Sequence, residues 1–137
     1  MEITVGTYRK LNHEEKCKFP AMKYVVTSPF ELKNQDKRWH VIVPLGFVCD
    51  GSSGGPDWGC SWMFHDLLYC KQMYEDGRPC NRKDADTLMS CVLRWERRWG
   101  YYAAYNIVVR VVPCLFARAW RAARKRGLLI IDDIICK

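Results

Sequence analysis

One short run of the chain carries a histidine, a carboxylate beside it and a phenol one helical turn further on: His65-Asp66-Leu67-Leu68-Tyr69. On a helix His65 and Tyr69 share a face, while Asp66 is rotated by about 100° and addresses a different partner. The connection from Tyr69 to Asn81 is short enough to lay a second helix antiparallel to the first, which would bring Asp84 or Asp86 opposite His65 and Tyr69. A carboxylate in that place orients the imidazole and accepts from the tyrosine hydroxyl, leaving the other ring nitrogen to act as a base on water. His65 and Tyr69, with Asp84 or Asp86, are therefore the candidate catalytic set. Asp66, turned away from them, could join backbone carbonyls of the Gly51 to Gly55 loop around a hard cation such as calcium. Two other readings use the same residues: a buried hydrogen-bond network that locks two helices together, and a pocket for an ion or small ligand.

The elements that must position these groups form an α+β chain. Lys23-Tyr-Val-Val-Thr, Phe30-Glu-Leu-Lys and Arg38-Trp-His-Val-Ile-Val are β-prone runs, with the polar turn Asn34-Gln-Asp-Lys before the last. They predict an N-terminal antiparallel β-meander. Gly51-Ser-Ser-Gly-Gly-Pro-Asp is too rich in glycine and proline for regular structure and reads as a loop. Apolar positions Trp62, Phe64, Leu67, Leu68 and Met73 predict a helix within 58–74, broken by Glu75-Asp-Gly-Arg-Pro. Asn81 is a natural N-cap for a second helix that runs through Leu88, Met89, Val92, Leu93 and Trp95 towards Gly100. Residues 101–127 are helical material interrupted at Pro113.

The whole is one domain of 137 residues, 49% hydrophobic, enough for a single core and too short for a second. Its formal charge of +7 is local. Residues 94–137 hold ten lysines and arginines against Glu96, Asp132 and Asp133, which accounts for the entire excess. An acidic partner for the C-terminal third follows: nucleic acid, anionic lipid or an acidic protein surface. Arg118, Arg121, Arg124, Lys125 and Arg126 are the candidate partner-binding residues of a basic C-terminal segment, about 116–137. The eight cysteines make the chain cysteine-rich, but no two are separated by only two to four residues, so zinc-knuckle spacing is absent and buried free thiols are expected. The N-terminus lacks a basic start and an apolar core segment, which predicts no signal peptide. Tyr101 to Ala119 is interrupted by Asn106, Arg110, Pro113 and Arg118, and falls short of the roughly 20 apolar residues of a transmembrane helix.

Two resemblances attach to these motifs. Val43-Pro44-Leu45-Gly46-Phe47-Val48-Cys49-Asp50-Gly51-Ser52-Ser53, then His65-Asp66-Leu67-Leu68-Tyr69, then Arg82-Lys83-Asp84-Ala85-Asp86 resemble, in order, the motifs of the domain of unknown function family 1353 of phages and other viruses. That likeness spans about residues 22–115 and implies the fold order just described and a viral setting. The His-Asp-x-x-Tyr helix also resembles the active site of calcium-dependent phospholipase A2, including its parvoviral capsid version. Carried over, His65 is the base, Asp66 the calcium ligand, Tyr69 and Asp86 the supporting pair, and Gly51, Gly54 and Gly55 the calcium loop. The resemblances imply a virus-encoded virion component, a minor capsid or packaging-associated protein that uses its basic C-terminal segment to bind other virion proteins, genomic DNA or an anionic membrane. The alternative they imply is a calcium-dependent, phospholipase A2-like acyl hydrolase.

Overall fold

A computed structural model describes residues 1–51, 57 and 59–132. The chain is mixed α+β, with its strands in two three-stranded antiparallel sheets followed by four long helices. β1 (Glu2–Thr4) and β2 (Thr7–Lys10) precede a short helix, α1 (His13–Lys18), and then come β3 (Tyr24–Ser28), β4 (Phe30–Asn34), β5 (Trp39–Val43) and β6 (Val48–Cys49). One sheet has the order β1-β4-β5 and the other β2-β3-β6.

The β4–β5 hairpin follows from alternation. Phe30 and Leu32 pair with Val43 and Val41 and are buried, while Glu31 and Lys33 point outward. Asn34 Oδ1 accepts the Lys37 amide at 3.2 Å and closes the turn. The meander is divided at Pro29, which passes the chain from β3 in one sheet to β4 in the other. The first strands bend with it: Gly6 sits where a Cβ would run into the Ser28 and Pro29 carbonyls, so β1 can follow β4 and β2 can follow β3. These first elements, residues 2–18, are absent from the elements expected above, although Asn12 and Glu15 form a capping box at the start of α1.

The helices are α2 (Ser61–Lys71), α3 (Arg82–Trp95), α4 (Trp99–Val111) and α5 (Pro113–Arg126). The first is shorter than the expected 58–74, of which Trp58 lies outside the described residues, and the second stops before Gly100 at a turn where Arg97 adopts φ 57°. Asn81 caps α3 as expected, its side chain accepting the Asp84 amide at 2.8 Å. The antiparallel pairing of α2 and α3 is visible at both ends. The Cys80 amide donates to the Gln72 carbonyl at 3.0 Å beside one end, and Glu96, just past α3, accepts the Cys60 amide at 3.0 Å at the start of α2. Glu96 thereby serves the N-terminus of a helix that has no side-chain cap of its own.

The main core joins the inner face of the β1-β4-β5 sheet to α2, with Phe30, Leu32, Val41 and Val43 against Trp62, Phe64, Leu67 and Leu68. Helices α3 and α5 pack on the other side of α2, so the basic C-terminal segment is a layer of the fold. Ala123 of α5 is buried, and Trp120 meets the Tyr69 ring edge-on at 5.0 Å between centroids. The break at Pro113 falls where the sequence predicts it, and α4 and α5 meet at 91°. No single helix among the described residues is long and apolar enough to cross a membrane. The seven described cysteines are free thiols, four of them buried, and Cys136 lies outside the described residues.

Candidate functional site

Asp86, on the second turn of α3, is 4% exposed and faces α2. Its Oδ1 accepts from three groups: the His65 Nε2 at 2.8 Å, the Tyr69 hydroxyl at 2.6 Å and the Tyr105 hydroxyl at 3.1 Å. Its Oδ2 accepts from Arg82 Nη1 at 3.1 Å, one helical turn back. A buried carboxylate needs this degree of compensation, because removing a charge from water costs several kcal/mol unless partners replace the hydration. Three donors on one oxygen and a guanidinium on the other leave little of Asp86 unpaired.

The arrangement decides the chemistry of His65. With Nε2–H donating to a carboxylate, the lone pair lies on Nδ1, which makes no hydrogen bond among the described residues. The imidazole is clamped as well as bonded. It stacks on the Tyr69 ring at 4.1 Å between centroids, and Tyr105 stands edge-on at 6.0 Å with its oxygen 3.2 Å from Nε2. The His65 side chain retains 13% exposure, so the ring is held from inside and reaches solvent at its edge. Burial, and then the Asp86 charge and hydrogen bonds, push the phenols of Tyr69 and Tyr105 far above the ordinary tyrosine value, so both remain protonated donors.

The expected trio of His65, Tyr69 and Asp86 is therefore brought together, and of the two carboxylates open in the sequence it is Asp86 that faces the histidine. Asp84 lies in the first turn, where its amide is held by Asn81. Two members were not anticipated. Arg82 stands four residues before Asp86, a spacing that was legible. Tyr105 is 40 residues from His65 on an apolar, aromatic-rich helix, and nothing in its local sequence separates it from its neighbours Tyr101 and Tyr102.

Asp66 points away from this network, as its place on the helix requires, towards Asp50 and Asp57. Its Oδ2 is sealed from solvent and without a hydrogen-bond partner among the described residues. Burial first, then the neighbouring Asp50 carboxylate with which it shares a hydrogen bond, hold Asp66 well above the usual carboxylate range, and Arg126 and Asp57 act on it in opposite senses. Asp57 in turn accepts the Tyr24 hydroxyl at 2.7 Å, which, with burial, pushes that phenol up to about 12. Gly51 adopts φ +85° and lies close against Asp57, so a side chain there would be strained by backbone and neighbour alike.

Oxygen donors of this kind are the chemistry calcium takes, and of the expected calcium set Asp66 and Gly51 are among the described residues. No group of three or more acidic, histidine or cysteine side chains among them is placed to hold a metal ion, and the positive charge near Asp66 is the Arg126 guanidinium of α5, whose Nη2 also donates to Cys70 Sγ at 3.2 Å. Gly54 and Gly55 lie outside the described residues.

Asp66 gives a pH signature. A carboxyl raised in the folded state stabilises the fold fully below its unfolded value, near pH 4, and that contribution is lost as pH rises through the folded value. Asp66→Asn is expected to melt higher than the parent at neutral pH in buffer without divalent cations, with a flatter dependence of melting temperature on pH above about 4. A variant that melts lower at neutral pH would mean that Asp66 is ionised and paired.

The five C-terminal basic residues separate into two groups. All five are exposed along α5, and Arg126 differs from the other four in that its Nη2 also donates to Cys70 Sγ, near Asp66 and Asp50. A cleft of about 470 Å³ lies between α2, the start of α3 and α5, lined by Cys70, Gln72, Cys80, Arg82, Trp120 and Arg124, and His65 is not part of its wall.

A buried carboxylate fixing one nitrogen of an imidazole whose other nitrogen has no hydrogen-bond partner among the described residues defines the class of this site as a histidine–carboxylate dyad, buttressed by two tyrosines. Compared with known proteins, the chain matches no family model, no curated protein and no solved structure.

Proposed function

We propose that the chain is an acyl-ester hydrolase of the phospholipase A2-like kind, with His65 as general base and Asp86 as the group that orients it. The observation that carries this reading is the set of donors on Asp86, which holds His65 by Nε2 and leaves Nδ1 as the basic nitrogen. In the reaction, Nδ1 takes a proton from water as the water oxygen attacks the ester carbonyl, and the imidazolium then returns that proton to the departing alcohol oxygen. Asp86 stabilises the imidazolium across the 2.8 Å contact without itself taking the proton. Tyr69, Tyr105 and Arg82 keep the carboxylate in place and are positioning residues. The experiment is release of free fatty acid from phospholipid vesicles, measured with and without added calcium. Release above background in either condition supports the reading, and none in both removes it.

A second reading rests on the exposed basic residues of α5. We infer that the protein is a virus-encoded virion component, a minor capsid or packaging-associated subunit, whose α5 cations contact other virion proteins or the genome. The motif likeness to the domain of unknown function family 1353 supports the viral setting. Because α5 also packs on Tyr69 through Trp120, deleting the segment would disturb the core. The cleaner test replaces Arg118, Arg121, Arg124 and Lys125 together by Gln: particles should lose the protein while its melting temperature stays within a few degrees of the parent. Normal incorporation would refute the reading.

A further inference from the structure

The outward face of α4 is the surface that the site and its packing leave unexplained. Every exposed position of that helix except Arg110 is apolar or glycine. Trp99, Ala103, Ile107 and Val111 recur at four-residue intervals and so form one stripe, with Ala104 and Val108 beside it. The exposures are large: 57% for Trp99, 61% for Ile107 and 71% for Val111. Tyr105 lies on the inner face of the same helix, where it reaches His65. A helix that merely bounds a protein in water carries charged groups on its outer side, so an apolar outer face of this length is the mark of something that covers it.

Charge says what the cover is. From Arg97 to Ile131 the chain contains no carboxylate, and Arg110 on α4 is exposed, as are Arg94 and Arg97 just before that helix and Arg118 on α5 after it. At its end the chain turns by 91° into α5 through exposed Pro113, Cys114 and Leu115, so the two helices form an elbow and cannot cross a bilayer as one straight span. An apolar stripe, exposed arginines on and next to its helix and a tryptophan at its end are the elements of a helix that lies in the interface plane of an anionic bilayer, with its apolar side among the acyl chains and the cations among the headgroup phosphates. A second copy of the chain is a poor occupant, since it would bring the same carboxylate-free, arginine-bearing segment against itself. A nucleic acid would use the arginines and leave the stripe uncovered.

We propose that the outward face of α4, with the α4–α5 elbow, docks this protein on anionic lipid membranes. The proposal goes beyond the hydrolase reading and stands on the surface alone, whether or not His65 acts as a base. Docked in this way, the inner face of α4 and the dyad behind it sit about one helix diameter, roughly 10 Å, from the bilayer.

The test is co-flotation of the full chain with vesicles of phosphatidylcholine alone or with about one third phosphatidylglycerol, at low and high salt. The expected result is strong flotation with the anionic vesicles, weakened by salt, and lowered about tenfold or more by the double variant Ile107→Asp, Val111→Asp. Both side chains are exposed, so the variant should keep the parent circular dichroism and melting temperature. No flotation would overturn the proposal. So would flotation that is indifferent to the two substitutions, which would assign binding to the arginines alone, or a dimer in sedimentation that the substitutions dissolve, which would make a second copy the occupant.

Discussion

Asp86→Asn is expected to leave a folded protein that has lost ester hydrolysis by about 10⁴-fold, the order seen when an orienting carboxylate becomes an amide and the imidazole adopts the wrong tautomer. An amide oxygen still accepts from Tyr69 and His65, but the amide nitrogen is then turned towards the Arg82 guanidinium, donor against donor, where a carboxylate oxygen stood at 3.1 Å. Rotating the amide to satisfy Arg82 puts the NH₂ against Nε2 and draws the histidine into the opposite tautomer, with its proton on Nδ1. The base is then gone although every side chain is still in place. Asp86→Ala removes the acceptor altogether. Three donors that share Oδ1 would be left in a buried site, and breaking one partner of such a cluster costs about 3–5 kcal/mol. The alanine variant should therefore show a large drop in melting temperature, whereas the asparagine variant should show its defect chiefly in rate. If both variants hydrolyse phospholipid at the parental rate, Asp86 is a structural lock only.

His65→Gln carries the second large effect. The glutamine is of similar reach and can still donate to Asp86, so the α2–α3 interface, where Leu67, Leu68, Leu88 and Val92 are fully buried, should hold and the melting temperature should change little. What it lacks is a ring nitrogen with a lone pair that can take the proton from water. Loss of a general base costs about 10²–10⁴-fold in rate, and with the ordered imidazole gone the upper end is expected here. The double variant with Asp86→Asn should be no slower than His65→Gln alone, because Asp86 acts through the imidazole, and groups that work as a unit do not add. Additive losses would mean that Asp86 acts on the substrate by another route.

How far the sequence announced this arrangement depended on the range of the interactions. Within one helix the periodicity was enough: His65 and Tyr69 one turn apart, Asp66 turned away, and Asn81 as the cap that sets where α3 begins and hence where Asp86 points. The short connection between the helices made the pairing antiparallel, and with that Asp86 came into range. Tyr105 was not legible, because its hydroxyl reaches the site only after the chain turns again at Arg97, between α3 and α4, and that turn depends on tertiary packing. The division of the strands into two sheets was hidden for a similar reason. It rests on Gly6 passing close against the Ser28 and Pro29 carbonyls, a contact between segments more than 20 residues apart. The basic C-terminal segment is half explained by composition. Its charges face solvent along α5, but Trp120, Ala123 and Arg126 tie it to α2, a role that a count of arginines does not reveal.

The measurement that bears most directly on the dyad is the tautomer of His65, read from the nitrogen-15 chemical shifts of its ring in solution. The geometry requires the neutral ring to carry its proton on Nε2, shared with Asp86, and to keep the lone pair on Nδ1, with Asp86→Asn abolishing that preference. A neutral His65 found with its proton on Nδ1 in the parent protein would contradict the assignment of this residue as the base.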